Sequence, residues 1–415
     1  MGALTRMCLT ASLLVGLSVA AYADVITDWN DKVVAAGVKE RQAPFVHTRS
    51  VAIVHVAMFD AVNSIDRRYT PYRVQGSTAT GASREAAAAA AAHFAMVRLY
   101  PDQAKDVDSS YQTALAAVPD GETKSKGIQL GEQVAAEILA LRAKDGADVP
   151  NTYRPYTAAG VYVPTALPVG SSWGQVTPFA LKEGSQFRPA APVSLQSAQW
   201  AKDCDEVKKM GAKTGSGRTA EQTDIARLWE LTGPGLHNQV PRQLAATKNL
   251  DVLDNARLYA LYAMAMADSY IAVFDAKYTY NFWRPVTAIR NGDIDGNDAT
   301  ERDPAWEPFI PTPMHPEFPC AHCINSAAGA AVLEAFFGDA APPFSLTSPA
   351  VPGVTRRFSR LSNYVSESID ARVYDGVHYR TSGEVGAAMG RKIGEYTVQH
   401  YLAPVSKSDK PLTSR

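Results

Sequence analysis

The sequence predicts an all-α fold, a helical bundle of roughly ten helices with long Pro/Gly-rich loops. Apolar residues recur at helical spacing along most of the chain, and the alternation typical of strands is nearly absent. Capping residues and Pro or Gly stops bound the periodic segments. With 415 residues, 46% of them hydrophobic and 20% charged, the chain can bury a large core of ordinary globular composition.

The first half of the chain contains four predicted helices, at residues 24–37, 50–65, 83–100 and 124–144. Ser83 is the expected N-cap of the third helix, and Pro101 is its expected stop. Residues 146–196 are rich in Pro, Gly, Thr and Tyr and show no sustained period. We therefore expect a long ordered loop there.

Helical periodicity resumes in the second half, at residues 199–210, 219–231, 249–282, 321–337, 356–372 and 384–401. Gly338 closes the helix that begins at Ala321. Residues 292–319 and the Pro-rich stretch after Gly338 are predicted loops.

The first 23 residues have the pattern of a secretory signal peptide. Arg6 precedes an apolar run that is too short for a spanning helix, and Ala21-Tyr22-Ala23 offers a small-x-small cleavage site before Asp24. The alternative is an uncleaved anchor. We expect an exported protein, periplasmic or secreted, with no stable membrane insertion after cleavage.

The mature chain is expected to be one helical domain over residues 24–404, with a motif-bearing core at 250–402 and a tail at 405–415. The full sequence has 41 Lys and Arg against 42 Asp and Glu, a balance that argues against a nucleic-acid partner. Any anion binding must come from local clustering. Signal cleavage would leave three cysteines, an odd number that does not suggest a disulfide framework, although a Cys320–Cys323 pair stays open.

Lys277 and Arg284 form the first of three chemically informative clusters. They are seven residues apart, so on one helix they would share a face, and Pro285 would end or bend that helix. The aromatic neighbours in KYTYNFWRP make unpaired cations costly. The alternative is a pair of solvated surface cations.

The second and third clusters contain a histidine each. Pro319-Cys320-Ala321-His322 opens an Ala-rich helix, whose free N–H groups and dipole favour an anion. His322 is placed to pass a proton, although a helix cap or surface residue is the alternative. Arg372 ends a predicted buried stripe, where it needs an anion, and His378 follows after an Asp-Gly turn.

In chain order the clusters read Lys-x6-Arg-Pro, Pro-Cys-Ala-His and Arg-x5-His. This set resembles the signature of the vanadium-dependent haloperoxidase and type 2 phosphatidic acid phosphatase superfamily, which is K-x6-RP, PSGH and SR-x5-H. Segments such as DWNDKVV and VHVAMFDAVNSI resemble the haloperoxidase-like branch of exported bacterial members. The resemblance spans most of the mature chain.

The resemblance implies that vanadate or phosphate is bound by five residues, Lys277, Arg284, Cys320, Ala321 and Arg372. It implies that His378 is the axial residue, which coordinates vanadium or attacks phosphorus, and that His322 is the acid–base. Vanadate is the implied cofactor of a peroxidase, with peroxide and halide as substrates. A phosphatase would need no cofactor and would act on a phosphomonoester. The resemblance leaves a homodimer open.

Three positions depart from the family pattern. Cys320 replaces a serine, which exchanges a good hydroxyl donor for a weak thiol, and Ala321 replaces a glycine. Ser382 stands where an aspartate would orient the imidazole of His378, and Asp375 is a candidate substitute. The oxidisable Cys320 argues against vigorous halide oxidation and favours a phosphatase or a weak peroxidase, whereas the family branch favours a haloperoxidase.

Two readings from other classes compete with this one. Cys320 and Cys323 form a C-x-x-C motif at a helix start, as in thiol oxidoreductases, but no βαβ pattern surrounds it. The second alternative is a non-catalytic oxyanion-binding protein.

The acidic segment 291–298 resembles a calcium-binding loop only weakly, because its Gly is misplaced and its twelfth position has no Glu. Six further histidines are assigned to core or surface, with His237 near the pocket approach: His47, His55, His93, His237, His315 and His400.

Overall fold

The structure is a computed structural model that describes residues 24–74 and 79–405. The predicted signal peptide, and all but the first residue of the predicted tail, lie outside these residues. The helices are α1 (Val25–Lys39), α2 (Pro44–Asp66), α3 (Arg84–Leu99), α4 (Ala104–Ala116), α5 (Glu122–Arg142), α6 (Ala198–Met210), α7 (Ala220–Leu228), α8 (Pro234–His237), α9 (Gln239–Ala245), α10 (Val252–Tyr280), α11 (Pro285–Arg290), α12 (Ala321–Phe337), α13 (Leu361–Tyr374) and α14 (Arg380–His400). Two short strands, β1 (Phe344–Thr347) and β2 (Thr355–Phe358), form an antiparallel pair.

The all-α prediction is confirmed, and several helix boundaries follow from the capping residues. Asp24 and Ser83 cap α1 and α3 by accepting from Thr27 N–H and Ala86 N–H, at 3.0 and 3.1 Å. Residues 146–196 contain only one 3-10 turn besides loop, as expected. The prediction of a helix from residue 356 is wrong at its start, because residues 355–358 pair as strand β2.

Four helices were not predicted: α4, α8, α9 and α11. In α4 only Val107 and Tyr111 are buried, so the sequence carries little apolar periodicity. The other three have four to seven residues, too few to show a helical period. The described residues therefore contain more helices than the ten or so expected.

Close packing of α12 against α14 positions the helix start that carries Cys320. Three glycines spaced four residues apart on α14 face the backbone of α12. A Cβ at Gly386, Gly390 or Gly394 would lie 2.7, 2.1 or 2.4 Å from the nearest α12-side carbonyl oxygen. Because side chains do not fit at these distances, the glycines allow the two helix backbones to touch.

The long loop 146–196 is attached to the middle of α10 by a buried carboxylate. Asp268 accepts hydrogen bonds from three consecutive backbone N–H groups, those of residues 179–181, at 2.6 to 2.8 Å. Nearer the end of α10, Tyr162 N–H donates to Asn281 O at 2.8 Å, and Trp283 N–H donates to Gly160 O at 3.0 Å. The loop thus covers the chain segment that leads to Arg284.

Among the described helices, α2 is long and apolar enough to cross a membrane by length and composition. However, 83% of its apolar window is buried inside the protein, as in the core helix of a globular fold. Its length and composition are therefore weak grounds for a membrane span.

Candidate oxyanion site

Lys277 and Arg284 converge, but they do not share a helix face as predicted. Helix α10 ends at Tyr280, and Asn281 takes a left-handed conformation with φ 48°. Arg284 therefore lies beyond the helix, at the residue that precedes α11. Lys277 is fully buried near the end of α10, and its Nζ donates to the carbonyls of Pro316 and Glu317 at 2.8 and 2.7 Å. Burial, reinforced by Arg284, lowers the pKa of Lys277 well below its ordinary value.

The Arg284 guanidinium is fully buried and is held by four hydrogen bonds. Nε and Nη1 donate to the carbonyls of His315 and Val377 at 2.9 and 2.8 Å. Nη1 also approaches Nε2 of His378 at 3.2 Å, and Nη2 approaches Nδ1 of His315 at 3.0 Å. These acceptors are neutral, so they fix the guanidinium without cancelling its charge. Burial lowers the pKa of Arg284 to about 10.

Cys320 is the N-cap of α12, and its thiol is an acceptor rather than a free donor. Cys320 Sγ accepts from Cys323 N–H at 3.3 Å. By helix geometry, the N–H groups of Ala321 and His322 have no carbonyl one turn back. The predicted helix start is therefore present, with the thiol folded onto its first turn, and its binding of an anion stays a prediction. The pKa of the buried Cys320 thiol is lowered to about 7, because hydrogen bonds from Cys323 and the charges of Arg372 and Lys277 outweigh desolvation.

His322 has a free ring nitrogen at the edge of this site. The residue is 7% exposed, and its Nε2 has no hydrogen-bond partner within the described part of the chain. Burial, with the charges of Arg372 and His237, lowers its pKa well below the ordinary value, while a hydrogen bond to the Leu231 carbonyl opposes this. A neutral imidazole with an unpartnered Nε2 can accept or return a proton.

Arg372 lies in the last turn of α13 and has the counterion that the sequence argument required. Its Nη1 donates to Asp375 Oδ2 at 2.6 Å and to the Trp229 carbonyl at 3.0 Å. Its Nε is buried and has no partner among the described residues. Burial raises the pKa of Asp375 to about 7 against the opposing charge of Arg372. Asp375 therefore pairs with Arg372 and has no recorded hydrogen bond to His378, so the suggestion that it orients that imidazole is wrong.

Glu317 is the carboxylate that orients His378. Its Oε1 lies 2.7 Å from His378 Nδ1 and accepts from Tyr379 N–H at 3.1 Å. A carboxylate acceptor fixes the proton on Nδ1, so the Nε2 lone pair is the acceptor that faces Arg284 and the site. Burial raises the pKa of Glu317 to about 7, opposed first by Lys277 and Arg284. Burial and the nearby cations lower the pKa of His378 well below its ordinary value.

Sequence reasoning missed Glu317 and His315, which lie in the loop just before Pro319. His315 had been assigned to core or surface, yet its ring contacts Arg284. This loop has no periodicity from which a site residue could be recognised. The available signal was indirect: Ser382 leaves His378 without its usual acid, and Glu317 is the nearest carboxylate in sequence to the Pro-Cys-Ala-His motif.

The structure brings the seven predicted site residues to one buried region. The charges of the three basic side chains shift the pKa values of their neighbours in this region. These neighbours are the Cys320 thiol and the imidazoles of His322 and His378. Three basic side chains face two carboxyl groups whose pKa values are both raised to about 7. Arg372 Nε and His322 Nε2 lack partners in the described chain. This surplus of positive charge and unused nitrogen fits a tetrahedral oxyanion such as vanadate or phosphate, with His378 Nε2 as the one candidate metal ligand.

The minor alternatives fit less well. Asp295 is buried, and its carboxylate accepts from Trp200 Nε1 and Thr300 Oγ1, both at 2.7 Å, so this part of segment 291–298 is held without a cation. In the described residues no group of three or more His, Cys, Asp or Glu is arranged to hold a metal ion. Cys320 and Cys323 are free thiols at the start of a helix that follows a loop rather than a strand.

Comparisons with known proteins agree with the site. The family described as the VCPO second helical-bundle domain matches residues 257–407, which include all seven predicted site residues. The vanadium chloroperoxidase of Curvularia inaequalis is 27% identical over 146 residues, covering 30% of this chain and 23% of that protein. The match thus spans less than a quarter of that curated relative.

Solved structures extend the likeness to nearly the whole chain. One titled as the first bacterial vanadium-dependent iodoperoxidase has a TM-score of 0.79 and 26% identity, covering 92% of this chain and 98% of that one. An apo-type bacterial vanadium-dependent chloroperoxidase has a TM-score of 0.73, covering 86% and 92%, and at 18% identity it supports the fold alone. The chain is therefore similar to vanadium-dependent haloperoxidases, in sequence over residues 257–407 and in fold over nearly its whole length.

Proposed function

We propose that this chain binds vanadate and uses hydrogen peroxide to oxidise a halide. The observation that carries the proposal is the His378 imidazole, whose Nδ1 proton is fixed by Glu317 so that its Nε2 lone pair faces the buried Arg284 guanidinium. The buried cations Lys277 and Arg372 also act on this ring. Bound vanadate would supply the Lewis acid at which peroxide becomes electrophilic towards halide.

The residues of the chain would divide the work as follows. Lys277, Arg284 and Arg372 would hold the oxygens of vanadate, and the Ala321 N–H would add a donor at the start of α12. Their heads are fixed by carbonyls, so little reorganisation is needed when negative charge develops. His378 Nε2 would be the ligand that the protein supplies to vanadium.

His322 would move the protons that the reaction requires. Its Nε2 is unpartnered, and its pKa is lowered by burial and by Arg372. It is therefore neutral before reaction and can take a proton from incoming peroxide, then return it to the departing oxygen.

We propose iodide as the preferred halide. Iodide is the most readily oxidised of the halides available to such an enzyme, and the solved neighbour at 26% identity is titled an iodoperoxidase. Cys320 lies within the proposed cage and would be damaged by a stronger oxidant. We also propose that the protein is exported, because residues 1–23 have the pattern of a secretory signal peptide.

The test is peroxide-dependent halogenation of a phenolic dye by metal-free and vanadate-loaded protein, with iodide, bromide and chloride compared. We expect halogenation only after vanadate loading, with iodide the best substrate. His378→Ala should abolish it, and His93→Ala, which changes a histidine of α3 that bonds Asp108, should not. Equal activity of the metal-free protein would refute the proposal.

A phosphatase is the second candidate, because the same Nε2 lone pair of His378 is a nucleophile for phosphorus. His378 would form a phosphohistidine, and His322 would protonate the leaving group and then activate water. Hydrolysis of p-nitrophenyl phosphate by metal-free protein, inhibited by vanadate, would favour this activity. Binding of either anion without turnover would indicate a non-catalytic oxyanion-binding protein.

A further inference from the structure

Two thiols of α12 lie within one helical turn at the edge of the oxyanion site. Cys320 and Cys323 both have no exposed surface, and both are free. Cys320 Sγ accepts the Cys323 N–H at 3.3 Å, and the two side chains also hydrogen-bond to each other. Cys323 Sγ lies 4.0 Å from the Ser368 carbonyl of α13. The proposed halide chemistry uses neither thiol as a reactant.

The surroundings of Cys320 favour its thiolate, which is the reactive form towards peroxide. The cations of Arg372 and Lys277 act on it, and it lies at the positive end of α12. The third described cysteine differs: Cys204 is buried in α6, where burial and nearby carboxylates raise its pKa to about 12. Because its thiolate is disfavoured, we use Cys204 as the internal control and expect it to react more slowly than Cys320.

We propose that Cys320 and Cys323 are a redox-modification site that a hydroperoxide converts to a disulfide. The Cys320 sulfur attacks one peroxide oxygen, the O–O bond breaks, and the other oxygen leaves as hydroxide, which is protonated to water. Cys323 sulfur then attacks the resulting sulfenic sulfur and its S–O bond breaks, releasing a second water. In sum, two thiols and one hydroperoxide give one disulfide, water and the water or alcohol of the second oxygen.

The oxidant would reach Cys320 through the oxyanion site itself, because the thiol has no surface of its own. His322 and Ala321 are slightly exposed beside it, at 7% and 5%. In the disulfide, Cys320 Sγ would turn towards Cys323 and could no longer accept the N–H of the first turn. We expect weaker oxyanion binding in this state, with recovery after reduction. This effect on halide oxidation rests on the proposed function, whereas the formation of the disulfide does not.

The experiment treats the purified chain with a few equivalents of hydrogen peroxide and maps its thiols by mass spectrometry without reduction. Cys320 and Cys323 lie in one tryptic peptide, between Arg302 and Arg356, so their disulfide lowers its mass by two hydrogens. We expect that loss, reversal by dithiothreitol, and an unmodified Cys204. Cys204→Ser should behave like the parent chain. In Cys323→Ser the Cys320 sulfenic acid should persist and be trapped by dimedone.

Three results would overturn the proposal. They are full retention of both thiols in peroxide, oxidation of Cys204 at the same rate, or a disulfide that forms only when circular dichroism shows unfolding. The thiol count is read without halide or vanadate, so absence of halogenation would refute the proposed function and leave this test unchanged.

Discussion

The carboxylate of Glu317 offers the sharpest test of the site, through Glu317→Gln. The substitution keeps the shape of the side chain and one acceptor oxygen. In the parent chain, Glu317 Oε1 lies 2.7 Å from His378 Nδ1 and 3.1 Å from the Tyr379 nitrogen. It removes only the negative charge. The expected change is weaker binding of vanadate and phosphate, because the His378 tautomer is less strongly fixed.

The magnitude follows from the lost charge assistance. A hydrogen bond to a charged group contributes about 1.5–3 kcal/mol, and one between neutral groups about 0.5–1.5 kcal/mol. The difference of about 1–1.5 kcal/mol corresponds to about a tenfold loss of affinity. This lies at the low end of the ~10–100-fold losses typical when a partner behind a metal-binding histidine is changed.

Titration calorimetry with vanadate or phosphate measures the affinity, and ¹⁵N NMR of the histidine rings reports the tautomer. Glu334→Gln, which changes an α12 carboxylate paired with Arg391, is the matched control and should bind as the parent does. Adding Ser382→Asp to Glu317→Gln should restore part of the affinity, because Ser382 is buried beside Glu317 and its side chain already interacts with that carboxyl group. Parental affinity and an unchanged ring spectrum in Glu317→Gln would refute the reasoning.

Three further predictions concern the scaffold. Gly390→Ala puts a Cβ 2.1 Å from the Ile324 carbonyl oxygen, so unfolding in urea should show a loss of about 1–3 kcal/mol together with weaker phosphate binding. In Asp268→Asn only one of the two side-chain oxygens that accept from three backbone N–H groups remains. The free energy of unfolding should fall by about 1–3 kcal/mol, with faster amide exchange at residues 179–181. Burial lowers the pKa of His55 to about 3, so below pH 6.5 the unfolded chain gains a proton that the folded chain does not. Between pH 6.5 and 5.5 the parent should lose about 1 kcal/mol more stability than His55→Gln, measured by urea unfolding.

The helical fold and the seven clustered residues were readable from the sequence because each has a local signal. Apolar periodicity marks long helices such as α10 and α12, and fixed spacing marks the three motifs. The route by which Arg284 reaches Lys277 was not readable, since it depends on the left-handed Asn281 that ends α10. A seven-residue spacing is equally compatible with one helix face and with a reversal of the chain.

Contacts between segments that are distant in sequence could not be predicted either. Glu317 reaches His378 across 61 residues of chain, and its role depends on where the loop 292–319 is placed. The glycines of α14 illustrate the same limit: Gly386, Gly390 and Gly394 are visible as a four-residue repeat, but only the packed backbone of α12 gives the repeat its meaning.

The charge arrangement explains why the ligand of this site should be an anion. Lys277 is held by two carbonyls, and Arg284 by two carbonyls and two imidazoles, so their positions are fixed by neutral acceptors. Glu317 is the carboxyl group whose charge acts on both cations. Arg372 alone has a carboxylate within hydrogen-bond distance, and the pKa of that carboxyl is raised to about 7 by burial. Positive charge held in a poorly solvated region is costly by itself and strongly stabilised by an oxyanion.

Phosphate or vanadate should therefore raise the free energy of unfolding, by about 2.7 kcal/mol at a ligand concentration of a hundred times the Kd. The increase should be smaller in Arg284→Lys, because lysine lacks the planar set of donors of the guanidinium. A thermal melt that does not respond to either anion would mean that the three cations do not share one ligand.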